Sequence, residues 1–164
     1  MRAFATLVGL GCTALLATGC QPQAACPAIA QAPVVALTVA REYAASVKTI
    51  RLKACQDGNC TEADLELFPG STTVDQGCEP GPDGSDRPCS ATATPDGTLT
   101  GMLMLDPLTD SPIEVTAGGT GAGGLPLPVR TLTFTPRVAY PYGEQCGRFI
   151  SAGVLLDADG LRAV

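Results

Sequence analysis

The segment Cys55-Gln56-Asp57-Gly58-Asn59-Cys60 lies between two strand-like runs, Val47–Cys55 and Cys60–Phe68. Asp-Gly at such a centre predicts a two-residue type I′ turn, in which both turn residues take positive φ. With Asp57-Gly58 as the loop, Gln56 faces Asn59, Cys55 faces Cys60, Lys53 faces Glu62 and Arg51 faces Asp64. On the other face Ile50 meets Leu65 and Leu52 meets Ala63. One register therefore pairs opposite charges outside and apolar residues inside, and a slip by one residue destroys both patterns. The same register makes Cys55 and Cys60 a non-hydrogen-bonded pair, with Cα atoms about 4.5 Å apart, which a disulfide accepts. A redox or metal reading fits less well. The spacing is C-x4-C rather than C-x2-C, and no second cysteine pair has finger spacing.

Further strand-like runs are Val34–Ala40, Ser90–Thr94, Thr98–Leu105, Ile113–Thr116, Val129–Thr135, Phe149–Leu156 and Leu161–Val164. Thr, Val and Leu dominate them, as half-buried strands prefer, and Gly, Pro and Asp-Gly punctuate the gaps. Only Val39–Ser46 could form a helical turn. This pattern predicts an all-β chain, an immunoglobulin-like antiparallel β-sandwich with structural disulfides, over residues 34–164.

Cys78 and Cys89 bracket a stretch with three Pro and two Gly, which neither a strand nor a helix accommodates, and a bridge would close it. Cys26 and Cys146 remain, and their pairing follows by elimination among the fifteen connectivities that six cysteines allow.

The N-terminus reads as an address. Arg2 precedes an apolar run from Ala3 to Ala17 that is short for a membrane span and has the secretory pattern. The run ends in Leu16-Ala17-Thr18-Gly19-Cys20, which resembles a bacterial lipobox. That resemblance implies acylation of Cys20 and removal of residues 1–19 as a signal peptide. Residues 20–33, rich in Pro, Gln and Ala, then form a lipidated tether. Cys12 leaves with the signal, Cys20 carries lipid, and six cysteines remain to pair completely. Ala17-Thr18-Gly19-Cys20, the early Cys26 and the Cys55–Cys60 hairpin together resemble the small, cysteine-bearing lipoproteins of actinobacteria. Membership implies a place on the extracytoplasmic face of the cell membrane, held there through the N-terminal lipid, and no particular chemistry.

Composition narrows the chemistry. The chain has 10 Lys+Arg against 16 Asp+Glu and no His. An acidic balance argues against a nucleic-acid partner, and lack of His excludes Ser-His-Asp and Cys-His catalysis and His-ligated metals. Gly119-Thr120-Gly121-Ala122-Gly123-Gly124 matches G-x-G-x-x-G, but Leu125-Pro126-Leu127-Pro128 follows where a dinucleotide site needs a helix. It reads as a Gly-rich inter-strand loop. Asp83-Gly84-Ser85-Asp86 and Asp157-Ala158-Asp159-Gly160 are the nearest approaches to a calcium loop, and neither has the EF-hand spacing. Ser71 lacks a G-x-S-x-G frame, and Lys48 and Lys53 lack an S-x-x-K partner. No cofactor or metal is expected. Tyr140 and Tyr142, in a chain with 4% aromatic residues, mark the candidate contact patch.

These observations predict a membrane-anchored, non-enzymatic binding or interaction module of the cell envelope, meeting a protein or envelope ligand. The alternatives are a tethered carboxylate-dependent hydrolase and a purely structural envelope protein.

Overall fold

A computed structural model describes residues 25–78 and 89–164. The expectations for the signal segment, for Cys20 and for Asp83–Asp86 lie outside the described residues.

Ten strands are seen among the described residues: β1 (Val34–Val39), β2 (Val47–Gln56), β3 (Asn59–Leu65), β4 (Phe68–Gly77), β5 (Ser90–Met104), β6 (Ile113–Gly121), β7 (Arg130–Phe134), β8 (Arg137–Ala139), β9 (Phe149–Leu156) and β10 (Leu161–Ala163). A one-turn helix α1 (Arg41–Ala44) follows β1, and a single 3-10 turn spans Glu144–Cys146. The strands form two sheets. The larger runs β10-β9-β1-β5-β4, with β8 also pairing β9, and the smaller runs β3-β2-β6-β7.

This is the immunoglobulin strand order. β1, β5 and β4 stand as B, E and D of one sheet, and β3, β2, β6 and β7 as C′, C, F and G of the other. The position beside B, which strand A would occupy, is taken by β9. It arrives from the C-terminal side and runs parallel to β1, with Val35 opposite Ala152 and Leu37 opposite Val154. Every other named strand pairing is antiparallel.

The core is aliphatic. Val35, Leu37 and Val39 of β1 meet Ile50, Leu52 and Ala54 of β2, with Leu103, Ile113, Val115, Val154 and Leu156 around them, all buried. Alternation along β1 and β2 puts these side chains on one face. In β2 the alternation breaks once, because Val47 and Ile50 are both buried yet three residues apart. A register irregularity between Val47 and Thr49 absorbs the extra residue. Gly119 lies opposite, at φ +152°, where an added Cβ would stand 2.0 Å from the Thr49 carbonyl oxygen. Only glycine fits there.

The hairpin adopts the expected register at every pair from Ile50–Leu65 to Gln56–Asn59. Asp57 and Gly58 have φ of 51° and 81°, as a type I′ turn requires. Among the described residues three disulfides are present: Cys55–Cys60, Cys78–Cys89 and Cys26–Cys146, with Cα separations of 4.1, 4.2 and 5.3 Å. None crosses between the sheets through the core. They close a turn, the β4–β5 connection and the tether.

Four strand expectations are corrected. β4 begins at Phe68 and replaces what read as the end of one run plus irregular chain. The Ser90–Thr94 and Thr98–Leu105 runs are one strand, β5, because Pro95-Asp96-Gly97 is accommodated as a local irregularity against Pro69–Ser71. β6 continues through Gly121, so the first half of the Gly-rich run is strand rather than loop. β8 is new, and three residues of exposed strand carry too little periodicity to read.

Candidate binding site

The outer face of the smaller sheet is polar because the hairpin alternation points Thr49, Arg51 and Lys53 of β2 away from the buried Ile50, Leu52 and Ala54. β3 brings Asp64 opposite Arg51 and Glu62 opposite Lys53. β6 brings Thr120 opposite Thr49, Gly118 opposite Arg51 and Thr116 opposite Lys53. The result is an open trough of about 440 Å³ across β3, β2 and β6, with Val129 on its far wall.

Its side chains hold one another in place. The Arg51 guanidinium donates two hydrogen bonds to Asp64, Nε to Oδ1 at 2.8 Å and Nη2 to Oδ2 at 2.6 Å. Glu62 Oε1 lies 3.8 Å from Arg51 Nε. The Thr49 and Thr120 hydroxyls are 2.7 Å apart, and those of Thr116 and Thr131 3.0 Å. Arg51 and Lys53 balance Glu62 and Asp64, so the lining has no net formal charge.

Gly118 sits at the middle of the floor. Its backbone is not in the left-handed region, and an added Cβ would meet only Val129 Cγ2, at 3.6 Å, an ordinary contact. Nothing in the fold requires glycine there, unlike at Gly119. A strand glycine without a structural reason leaves backbone open to an approaching ligand. Gly118→Ala is therefore expected to stabilise the fold by about 0.5–1 kcal/mol, read by urea denaturation, because strand glycine carries that entropic cost.

Among the described residues two carboxylates, Asp64 and Asp96, have shifted acidities, and both are held more acidic than usual. The Arg51 hydrogen bond keeps Asp64 below the ordinary aspartate range against a smaller opposing effect of burial. The Thr98 hydroxyl and backbone N–H do the same for Asp96, at 2.7 and 2.9 Å. Such groups stay ionised, whereas a general acid needs a raised value. A lowered folded value adds stability that is present above the ordinary aspartate value, about pH 4, and is lost as pH falls through the lowered one. Replacing Arg51 with Met should return the Asp64 titration midpoint, followed by carboxyl NMR, toward the ordinary value. An unchanged midpoint would remove Arg51 as the cause.

Tyr140 and Tyr142 lie away from this trough, at the end of the molecule that holds the Cys26–Cys146 bridge. They are 48% and 41% exposed. Tyr142 packs edge-on against Phe149, with ring centroids 5.9 Å apart. Asp157, in one of the two segments nearest to a calcium loop, accepts hydrogen bonds from the Asp159 and Gly160 backbones at 2.9 and 3.0 Å and lies 3.5 Å from Arg162. It is a turn residue. Among the described residues no three Cys, Asp or Glu side chains converge as a metal site would.

The trough is not legible in the sequence, because a loop over Gly119–Gly124 puts Gly118 and Thr120 beside neither Thr49 nor Arg51, whereas β6 continuing to Gly121 does. The signal was present in the unbroken Thr-x-Gly-x-Thr alternation after Val115. Comparison of the chain with family models, with curated proteins and with solved structures gives no match.

Proposed function

We propose that the chain is a lipid-anchored, extracytoplasmic binding module whose polar trough takes a neutral, hydroxyl-rich ligand such as an envelope glycan. The tether reading rests on Leu16-Ala17-Thr18-Gly19-Cys20, and three disulfides suit an oxidising compartment outside the cytosol. The ligand reading is carried by Gly118. It is an open backbone position, without structural need, at the centre of a lining that has hydroxyls, interleaved donors and acceptors, and no net charge. A charged ligand would gain little from such a lining, whereas a polyol matches its alternating donors and acceptors.

Titration of the full chain with soluble oligosaccharide fragments of the cell wall tests the ligand reading. Amide signals of Thr116, Gly118 and Thr120 should shift, and Gly118→Val should abolish the shifts while leaving the protein folded. Shifts confined to the Tyr140–Tyr142 loop would move the binding surface to the tether end. Mass spectrometry of the native N-terminal peptide tests the anchor. Lipid on Cys20 with nothing before it is the expected result, and an unmodified N-terminus elsewhere contradicts it.

A further inference from the structure

One stretch of sheet stands clear of the sandwich. Every β4 residue from Ser71 to Gly77 is exposed, and so is every β5 residue from Ser90 to Pro95. Their pairs, Thr72–Thr94, Thr73–Ala93, Val74–Thr92 and Asp75–Ala91, make a two-stranded arm with both faces in water, closed at its far end by the Cys78–Cys89 bridge. Two such strands are marginal alone and gain from a further one. β1, the neighbour of β5 on its other side, stops at Val39 opposite Leu99. The Arg41 side chain of α1 covers the next step, donating to the Asp96 carbonyl and lying against Gly97. Among the described residues Ser90–Thr94 thus has backbone groups without a strand on that side. The strands that border the sheets are blunted against such pairing. β3 carries Glu62 and Asp64, β7 lies between Pro128 and Pro136, and β8 and β10 have three residues each, with Arg137 and Arg162. β4 has Pro69, Asp75 and two register irregularities. Ser90–Thr94 has neither charge nor proline, and it ends at Pro95, which has no N–H to offer.

We propose that this edge pairs with the same edge of a second copy of the chain, β5 against β5 in antiparallel sense, about a two-fold axis through Thr92. The stretch is symmetric about that residue, since Cys89 and Pro95 each lie three residues from it. A two-fold contact must complement itself, and this register does so. Thr92 faces Thr92, Ser90 faces Thr94 and Ala91 faces Ala93, hydroxyl against hydroxyl on one face and methyl against methyl on the other. A slip by one residue opposes alanine to threonine or serine. Charge agrees with a second copy at this edge. Each chain carries a formal −6, so two copies approach best through a strip without carboxylates. Asp75 is one strand back from the contact, opposite Ala91. The two Asp75 carboxylates stand three strand spacings apart, about 14 Å, beyond the screening length of about 8 Å. The product is a four-stranded arm, β4 and β5 from each copy, with Val74, Thr92, Thr92 and Val74 in one row. Such a contact is smaller than the roughly 1,200 Å² of a stable complex, so the pairing is reversible. It uses no residue of the trough.

Cysteine placement reads this register directly. Residues that face each other across an antiparallel pair have Cα atoms about 4.5–5.5 Å apart, within reach of a disulfide. Mild oxidation of the full chain with diamide should convert Thr92→Cys to a disulfide-linked dimer, while Thr72→Cys, on the other edge of the arm, stays monomeric. Ser90→Cys and Thr94→Cys should each stay monomeric alone and cross-link when mixed. Peptide mapping checks that the three native bridges persist in every variant. Ala91→Glu with Ala93→Glu, added to Thr92→Cys, opposes like charges twice and should slow cross-linking about ten-fold. Ala91→Glu with Ala93→Lys opposes unlike charges across the two copies and should restore the rate. A Thr92→Cys chain that stays monomeric overturns the proposal, as does equal cross-linking of Thr72→Cys and Thr92→Cys. Failure of the Glu–Lys pair to rescue overturns the register centred on Thr92. Capture of a different polypeptide by Thr92→Cys in intact cells, with no dimer, assigns the edge to a foreign strand and overturns the second copy.

Discussion

A chain with Cys26→Ala and Cys146→Ala is expected to lose about 5 kcal/mol of unfolding free energy, whereas Cys55→Ala with Cys60→Ala loses about 2 kcal/mol. The sequence separations are 120 and 5 residues. A bridge acts chiefly on the unfolded ensemble by removing the entropy of loop closure, and that entropy grows with the logarithm of the loop. The native state gives the long bridge little other work. Residues 25–33 form no strand, and Gln31 still holds this stretch to Ile150 when the bridge is gone. The short bridge closes a hairpin that Asp57-Gly58 and the Arg51–Asp64 pair already align. Equilibrium urea unfolding without reductant measures both. A larger loss from the Cys55–Cys60 pair would show that unfolded-state entropy is not the governing effect.

Replacing Gln56 with Leu is expected to cost about 3 kcal/mol, since each buried backbone group left unpaired costs about 1–3 kcal/mol. Gln56 is the one buried polar side chain among the described residues, at 3% exposure. It continues the inward series of Ile50, Leu52 and Ala54. Its Nε2 donates to the carbonyls of Thr109 and Ser111 at 3.0 and 2.6 Å, and its Oε1 accepts from the Thr109 N–H at 2.9 Å. One amide thus ties β2 to the chain between β5 and β6. Leu fills the volume and supplies none of these bonds. Gln56→Glu separates polarity from size. A carboxylate would face two carbonyl oxygens at neutral pH, so its folded-state acidity is weakened and stability should rise as pH falls through that raised value. A Leu variant within about 0.5 kcal/mol of the native chain, the range of ordinary surface changes, would show that the β5–β6 connection does not depend on this clamp.

The Gln56 clamp was not legible beforehand. At the end of a hairpin strand a glutamine looks like a solvated turn neighbour, and in the sequence it only faced Asn59. Its role depends on Thr109 and Ser111, more than fifty residues away. The trough was hidden for the same reason. Arg51 and Asp64 could be paired from the hairpin alone, but Gly118 acquires a meaning only when β6 is laid beside β2. The apolar residues on the outer face of the larger sheet were equally unreadable as a set, because Met102, Val34 and Leu155 come from three distant segments. Tyr140 and Tyr142 stood out by rarity, and the structure places them at the bridged end rather than beside the trough.

By itself the sequence determined whatever depends on neighbours in the chain. Alternation with period two set which side chains of β1 and β2 turn inward, Asp57-Gly58 set the hairpin turn and register, and the spacing of Cys55 and Cys60 set their bridge. These are short-range matters, decided by backbone sterics and by side chains a few residues apart. Tertiary structure decided which strands share a sheet and what their outward faces jointly present. β9 took the place beside β1 in parallel, a pairing across more than a hundred residues that no local pattern encodes. Burial on the inner faces constrains each strand separately, whereas the outer faces are composed only after the strands are laid side by side. The polar trough and the exposed apolar side chains of the larger sheet are therefore properties of the assembled sheets and of no single segment.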